Sequence, residues 1–401
     1  MIVENPEVTL DVEGHGFPED ARDAAFLDWL CSVVAYGDDG KQYWFGCSPL
    51  SLAAESTDLW HFEISWETGN VVQLPGSVYK IADFPPVGLT VQRVYPGGTL
   101  KIERSNDEVA VSLGDFHVVC KSDKTWHYTI EDKEKGIKAE FVHTGAGYPT
   151  WYGKEKPSAL TQHSLAYGYN WSGTVEGTLT IQGRKVAVKG KGIRERYIAV
   201  DSSEAEIGGW EDWMWFHFDE VFGSMYEMKL GNKDMSLNLV DENLYFPAGS
   251  LNIEHHEWAY LRPLGAFIPT LYKVTMETEA GVLEMVAKVV GATVWGVTGK
   301  APSTPVATLN WDKLEGTFTY KDGRKRTLTN GVGGTSIRQW KPYPNIFAPE
   351  IAGTEASNEV ARLTTLLAGL RNKTSNGYEN KASNEYRASR EFDVTPVLSP
   401  S

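Results

Sequence analysis

The sequence predicts an all-β protein built from two barrel-like or sandwich-like halves, and three observations predict it. Short runs rich in β-branched and aromatic residues recur along the chain. Gly, Asp and Asn turn signals punctuate them about every 8–12 residues, the spacing of a β-sandwich or barrel. At 401 residues the chain exceeds the roughly 250 residues that one hydrophobic core serves, so two domains are expected.

The first element is Phe26–Tyr36. Leu27, Leu30 and Val34 have helical spacing, but Trp29 and Val33-Val34 suit a pleated surface, and Asp38-Asp39-Gly40 leads directly into Gln42–Phe45, so a strand and hairpin are predicted. The clearest hairpin joins Gly177–Gln182 to Arg184–Lys189 through Gly183, a residue free to take the positive φ of a tight turn. Similar punctuation falls at Gly231-Asn232-Lys233, Glu279-Ala280-Gly281 and Asp322-Gly323. In Glu355–Leu370, Val360, Leu363, Leu367 and Leu370 recur at helical spacing and predict one C-terminal helix docked by an apolar stripe. From about Asn372 to Ser401 the chain turns to Asn, Ser, Lys and Glu, the composition of a mobile tail. The expected organisation is an N-terminal β domain over 1–198, a C-terminal β domain over 199–345 packed against it, a helix segment over 346–371 and a tail over 372–401.

The formal net charge of -15 repels a phosphate backbone or an anionic lipid surface, so no nucleic acid partner is expected. The basic stretches Lys185–Lys191 and Arg324–Arg326 read as solvated hairpin rims. Three cysteines leave at least one unpaired and form no metal knuckle, which fits a reducing, cytoplasmic setting. No apolar window approaches the roughly 18 residues of a membrane span, so no membrane insertion is expected. Oligomeric state is left open. Fourteen Trp point either to a wide β core or to a cavity enclosing a hydrophobic small molecule.

Ionisable and aromatic residues are densest in Gly190–Tyr197 and Trp210–Glu220. On a strand, period two places Trp213, Trp215, His217 and Asp219 on one face and Asp212, Met214, Phe216, Phe218 and Glu220 on the other. The first face offers two indoles to stabilise a cation, with an imidazole and a carboxylate to move a proton. Arg194-Glu195-Arg196 reads either as site residues or as a structural ion-pair cluster, one carboxylate between two guanidiniums. Tyr169 and His163, near the Trp171 strand, are candidates to line the cavity. No metal is expected: His255 and His256 are adjacent, so on a strand they point to opposite faces, and no further ligands sit at a recognisable spacing. Gly331-Val332-Gly333-Gly334 reads as a loop, without the Lys-Ser/Thr of a phosphate cradle.

The run Gly173–Tyr197, ending Gly190-Lys191-Gly192-Ile193-Arg194-Glu195-Arg196-Tyr197, with Trp213-Met214-Trp215 downstream, resembles the hydroxyneurosporene synthase (carotenoid 1,2-hydratase) and AttH-like superfamily. There a hairpin ends in a glycine-flanked Arg-Asp-His-x-Trp motif and a Trp-x-Trp strand follows; Tyr36–Phe45 and Tyr148–Tyr152 also look like family landmarks. The resemblance spans about residues 20 to 345. It implies two lipocalin-like domains with a ligand cavity, and relatives that hydrate alkenes or cyclise polyketide or isoprenoid intermediates. The motif is not fully kept: Glu195 takes the acidic position, Arg196 stands where the family has histidine, and Ile198 falls at the tryptophan. A guanidinium stays protonated, so the proton chemistry is expected to pass to His217 or Glu195, with Asp219 beside them. Trp213 and Trp215 are then expected to stabilise a carbocation, and Arg194 and Tyr197 to orient the polar end of the substrate. The resulting expectation is a cofactor-free enzyme acting on a carbon–carbon double bond of a hydrophobic, isoprenoid or polyketide-like substrate between the two domains, by hydration, dehydration or cyclisation. The alternative is a non-catalytic carrier or sensor of a lipophilic small molecule.

Overall fold

Alternating apolar residues and closely spaced turns give strands almost throughout the computed structural model, which describes residues 8, 10–14, 26–52, 56–73, 80–84, 88–161, 164–202, 210–228, 233–261, 266–297 and 304–339. The predicted C-terminal helix and tail lie outside these residues, as does His163. The one helix among the described residues is a single turn, Leu10–Glu13.

Phe26–Tyr36 is extended as expected, in two strands, Phe26–Asp28 and Cys31–Gly37, separated at Trp29-Leu30. The Gly177–Lys189 hairpin is part of a much longer one: Ser164–Ile181 pairs with Arg184–Ser202 antiparallel from Ser164↔Ser202 to Ile181↔Arg184. Its turn holds Gln182 and Gly183 at φ 50 and 82, the left-handed pair that matches strand twist. This hairpin is the spine of a 13-stranded antiparallel sheet drawn from residues 26–202. The edge strands of its main path, Gly88–Pro96 and Lys101–Arg104, are consecutive in the chain. The sheet therefore curls back on itself, as a barrel does, and encloses a large apolar core. That core includes Trp29, Trp60, Trp126, Phe62, Phe116 and Phe141. The three cysteines are free thiols buried in the same core.

An 11-stranded sheet follows, from Trp210–His217 to Val332–Gln339. Because Arg184–Ser202 stays in the first sheet to its end, the passage between sheets falls after Ser202. The halves are joined by a third, four-stranded sheet in which Lys80–Asp83 of the first pairs in parallel with Ala259–Leu261 of the second. They also share an apolar seam of Val34, Trp44, Ile193, Trp213, Trp215, Val290 and Val332.

Gly331–Gly334 is not the expected loop: Gly331 makes an isolated β-bridge with Leu314, and Val332–Gln339 is a strand paired between Trp210–His217 and Thr304–Trp311. Gly333 is there for close approach to Trp215 and Trp311, and Gly331 for close approach to Phe218 and Leu314. The expected divergence of the two histidines is observed. His255 Nε2 lies 3.0 Å from buried Asp212, whereas His256 lies 3.0 Å from exposed Glu254.

Candidate active site

The seam between the two main sheets opens into a cleft of about 260 Å³, counted with its mouth. Ser32, Trp44 and Glu63 of the first half line it opposite Trp215, Thr293, Thr308, Asn310 and Gly334 of the second. The space inside holds at most one water, so a larger ligand enters only if the tryptophans move.

Glu63 is the chemically distinctive group. It sits on Thr57–Ser65, a strand whose residues are buried on both faces after Thr57, which is why the run Leu59–Ile64 is largely aromatic and aliphatic. Across the ladder it faces Gly46. A Cβ there would come within 2.8 Å of the Glu63 carboxyl, so glycine leaves the room in which that carboxyl lies. Both oxygens accept hydrogen bonds from the other half: Thr293 Oγ1 at 2.8 Å and Thr308 Oγ1 at 2.6 Å. Burial raises its pKa to about 7, partly offset by those two hydroxyls. A carboxyl titrating near neutrality is suited to both giving and recovering a proton. Around it, Trp215 Nε1 donates to Ser32 Oγ at 3.1 Å, Trp44 Nε1 to the Trp311 carbonyl at 3.1 Å, and Asn310 Nδ2 to Ser65 Oγ at 2.6 Å.

The structure splits the residues singled out in the sequence into two groups on opposite faces of the Arg184–Ser202 strand. Trp213, Trp215 and His217 share one face of their strand, and the two tryptophans join the seam. Of the predicted set, Trp215 alone is among the residues lining the cleft. His217 is buried with its ring 4.9 Å from Phe222. Desolvation, then Lys191 and His143, lower its pKa to about 3, so it is neutral at neutral pH and carries no acidic proton of the imidazolium kind. Asp219 lies beyond the strand end and is half exposed. It bonds Lys191 Nζ and Asn330 Nδ2, each at 2.6 Å, and its pKa is lowered by Lys191. Tyr197 joins Phe26, Leu50 and Val306 in a second apolar contact between the halves. Glu195 is buried opposite Asn170.

Arg194 and Tyr169 turn the other way, into the core of the first sheet, with Arg196. The expected cluster of one carboxylate between two guanidiniums does not form from the triplet itself, because period two sends Glu195 to the face opposite both arginines. The carboxylate that meets Arg194 is Glu13. Arg196, where the resembling family has histidine, lies over the Trp29 ring at 3.8 Å.

Sequence reading missed Glu63, Glu13, Trp44 and the two threonines. A signal for Glu63 existed: a lone carboxylate inside an apolar run has to be buried, and buried carboxyls are paired or functional.

Two large antiparallel sheets packed across an apolar seam make up a lipocalin-like β fold. Among solved structures the chain is similar to an AttH protein from Nitrosomonas europaea, at 15% identity and TM-score 0.57, covering 84% of this chain and 98% of the other. It is also similar to kievitone hydratase from Nectria haematococca, at 12% identity and TM-score 0.55, covering 84% and 95%. A third is CghA, at 12% identity and TM-score 0.53, covering 85% and 95%. No family model matches the chain, and no curated protein sequence matches it. The likeness expected from Gly173–Tyr197 and Trp213–Trp215 is thus present in the fold. No helix among the described residues is long and apolar enough to cross a membrane.

Proposed function

We propose that the protein is a proton-transfer enzyme acting on a carbon–carbon double bond of a hydrophobic, isoprenoid or polyketide-like substrate, with Glu63 as its acid. The observation carrying this reading is the burial of the Glu63 carboxyl in a cleft lined by Trp44 and Trp215, where desolvation pushes its pKa up to about 7. Protonated Glu63 gives its proton to one alkene carbon, forming a C–H bond and leaving a carbocation at the other. The indole faces stabilise that cation. In hydration, a water oxygen then forms the C–O bond and its released proton returns to the Glu63 carboxylate. In cyclisation, a second double bond attacks the cation, and loss of a neighbouring proton to Glu63 closes the cycle. Neither course needs a cofactor. That a hydratase has this fold supports the reading. The role first given to His217 passes to Glu63 because a neutral imidazole has no imidazolium proton to give.

The test is incubation of wild type, Glu63→Gln and His217→Gln with a panel of isoprenoid and polyketide-like alkenes in deuterated water, reading deuterium at carbon by mass spectrometry. Wild type is expected to label product. Glu63→Gln should lose roughly 10²–10⁴-fold in rate, the usual contribution of a general acid, and the wild-type rate should fall above about pH 7. Full activity in Glu63→Gln would remove the assignment. Binding without turnover by all three forms would make the protein a carrier.

A further inference from the structure

The interior of the first sheet holds a second polar constellation that the Glu63 chemistry does not use. Its centre is Glu13, which is fully buried although it belongs to a helix of only four residues. One helical turn has no stability of its own, so tertiary contacts hold it. Val12 joins the apolar core and Leu10 packs against it. The Glu13 carboxylate accepts hydrogen bonds from Arg194 and Tyr169, from Trp126 Nε1 at 3.0 Å and from Cys120 Sγ at 3.5 Å, while its carbonyl accepts from Trp29 Nε1 at 3.1 Å. The guanidinium of Arg194 lies 5.1 Å from the Trp126 ring centre and 5.7 Å from that of Tyr169.

This is the donor set of a carboxylate-binding site, and its capacity is not used up. Arg196 reaches the same interior and donates to the carbonyls of Asp28 at 3.0 Å and Tyr197 at 3.2 Å. Nε and Nη1 of Arg194 and Nε and Nη2 of Arg196 are buried with no hydrogen-bond partner. Four guanidinium nitrogens left unpaired in a core are costly, so the two arginines keep donors for a ligand carboxylate whose position the backbone does not fix. The occupant, meanwhile, is a short segment with an acid head and an apolar body.

We propose that the first sheet encloses a binding site for a small hydrophobic carboxylic acid, its carboxylate bound by Arg194, Tyr169 and Trp126 in the place Glu13 holds and its apolar body seated where Val12 packs. Arg196 supplies the additional donors. The site is separate from the Glu63 cleft, since Arg194 faces the core of the first sheet while the cleft opens on the seam between sheets.

Octanoate is the probe and octanol its uncharged counterpart, followed in the full-length protein by the fluorescence of the tryptophans beside the site and by thermal unfolding. Glu13→Ala is expected to bind octanoate at least tenfold more tightly than wild type and to gain thermal stability from it. Octanol should do neither, and Glu13→Ala/Arg194→Met should lose the response. Equal octanoate affinity in wild type and Glu13→Ala, or an equal response to octanol, would overturn the proposal. If Glu13→Ala does not fold alone, refolding yield with octanoate against octanol decides: rescue by the acid only supports the site, and no rescue, or rescue by both, sinks it.

Discussion

At the scale of single residues, the two halves meet through polar atoms that are few and individually placed. Trp215 Nε1 and Ser32 Oγ, 3.1 Å apart, are such a contact, and Trp215 itself is almost wholly buried. Removing only the acceptor, in Ser32→Ala, leaves a buried indole N–H unpaired, so a loss of about 1–3 kcal/mol is expected. Adding Trp215→Phe should cost less than the two single changes summed, because the second removes the group that the first orphaned. Urea unfolding of the four forms measures this, and strict additivity would show that the bond contributes nothing. Single residues are also where sequence reading succeeds and fails most sharply. The shared face of Trp213, Trp215 and His217 follows from period two alone, and so did the separation of His255 from His256. The same rule, applied to Arg194-Glu195-Arg196, forbids the triplet from closing on itself. What no local rule supplies is the partner: Glu13 lies 181 positions from Arg194, and Thr308 lies 245 from Glu63. Those pairings exist only once the sheets have curled and met.

At the scale of elements, strands and turns were legible because composition and turn chemistry are local, whereas the assembly of strands was not. The parallel pairing of Lys80–Asp83 with Ala259–Leu261 joins segments with no shared pattern. Glycine was the most misleading signal. Gly331–Gly334 suggested a loop, yet the strand Val332–Gln339 uses Gly333 to let the Trp215 strand approach: a Cβ on Gly333 would lie 2.3 Å from the Trp215 carbonyl oxygen and 3.1 Å from the Trp311 ring. One on Gly334 would meet only the Leu309 carbonyl oxygen at 3.2 Å and Trp215 Nε1 at 3.6 Å. Gly333→Ala is therefore expected to lose more than about 2 kcal/mol by forcing two paired strands apart, with a clearly smaller loss for Gly334→Ala. The two midpoints in denaturant check the order. Equal effects would mean that the strand, and with it the wall of the cleft, yields more readily than its pairing suggests.

At the scale of the whole molecule, three buried groups tie stability to pH, and they pull in opposite directions. His143 and His217 have folded pKa values near 3, both lowered chiefly by desolvation. In the unfolded chain an imidazole binds its proton at about 6.5, so these two contribute stability that is complete above that pH and is lost as pH falls. Glu63 is the reverse: raised to about 7 from the 4.5 of an unperturbed glutamate, it contributes stability that is full below 4.5 and is lost as pH rises through 7. Near pH 5.5 the unfolded chain holds roughly two more protons than the native state on the histidines, and the native state about one more on Glu63. The net is about one proton, which makes these three groups raise unfolding free energy by about 1.3 kcal/mol per pH unit. Glu63→Gln removes the opposing group, so the slope around pH 5.5 should steepen by about 1.2 kcal/mol per unit, and the variant should gain on wild type as pH is raised from 5 to 8. Urea unfolding of both proteins at half-unit steps measures the difference, in which every other titrating group cancels. Parallel curves would place the Glu63 pKa near that of an exposed carboxylate, and a carboxylate already ionised at neutral pH has no proton to give an alkene.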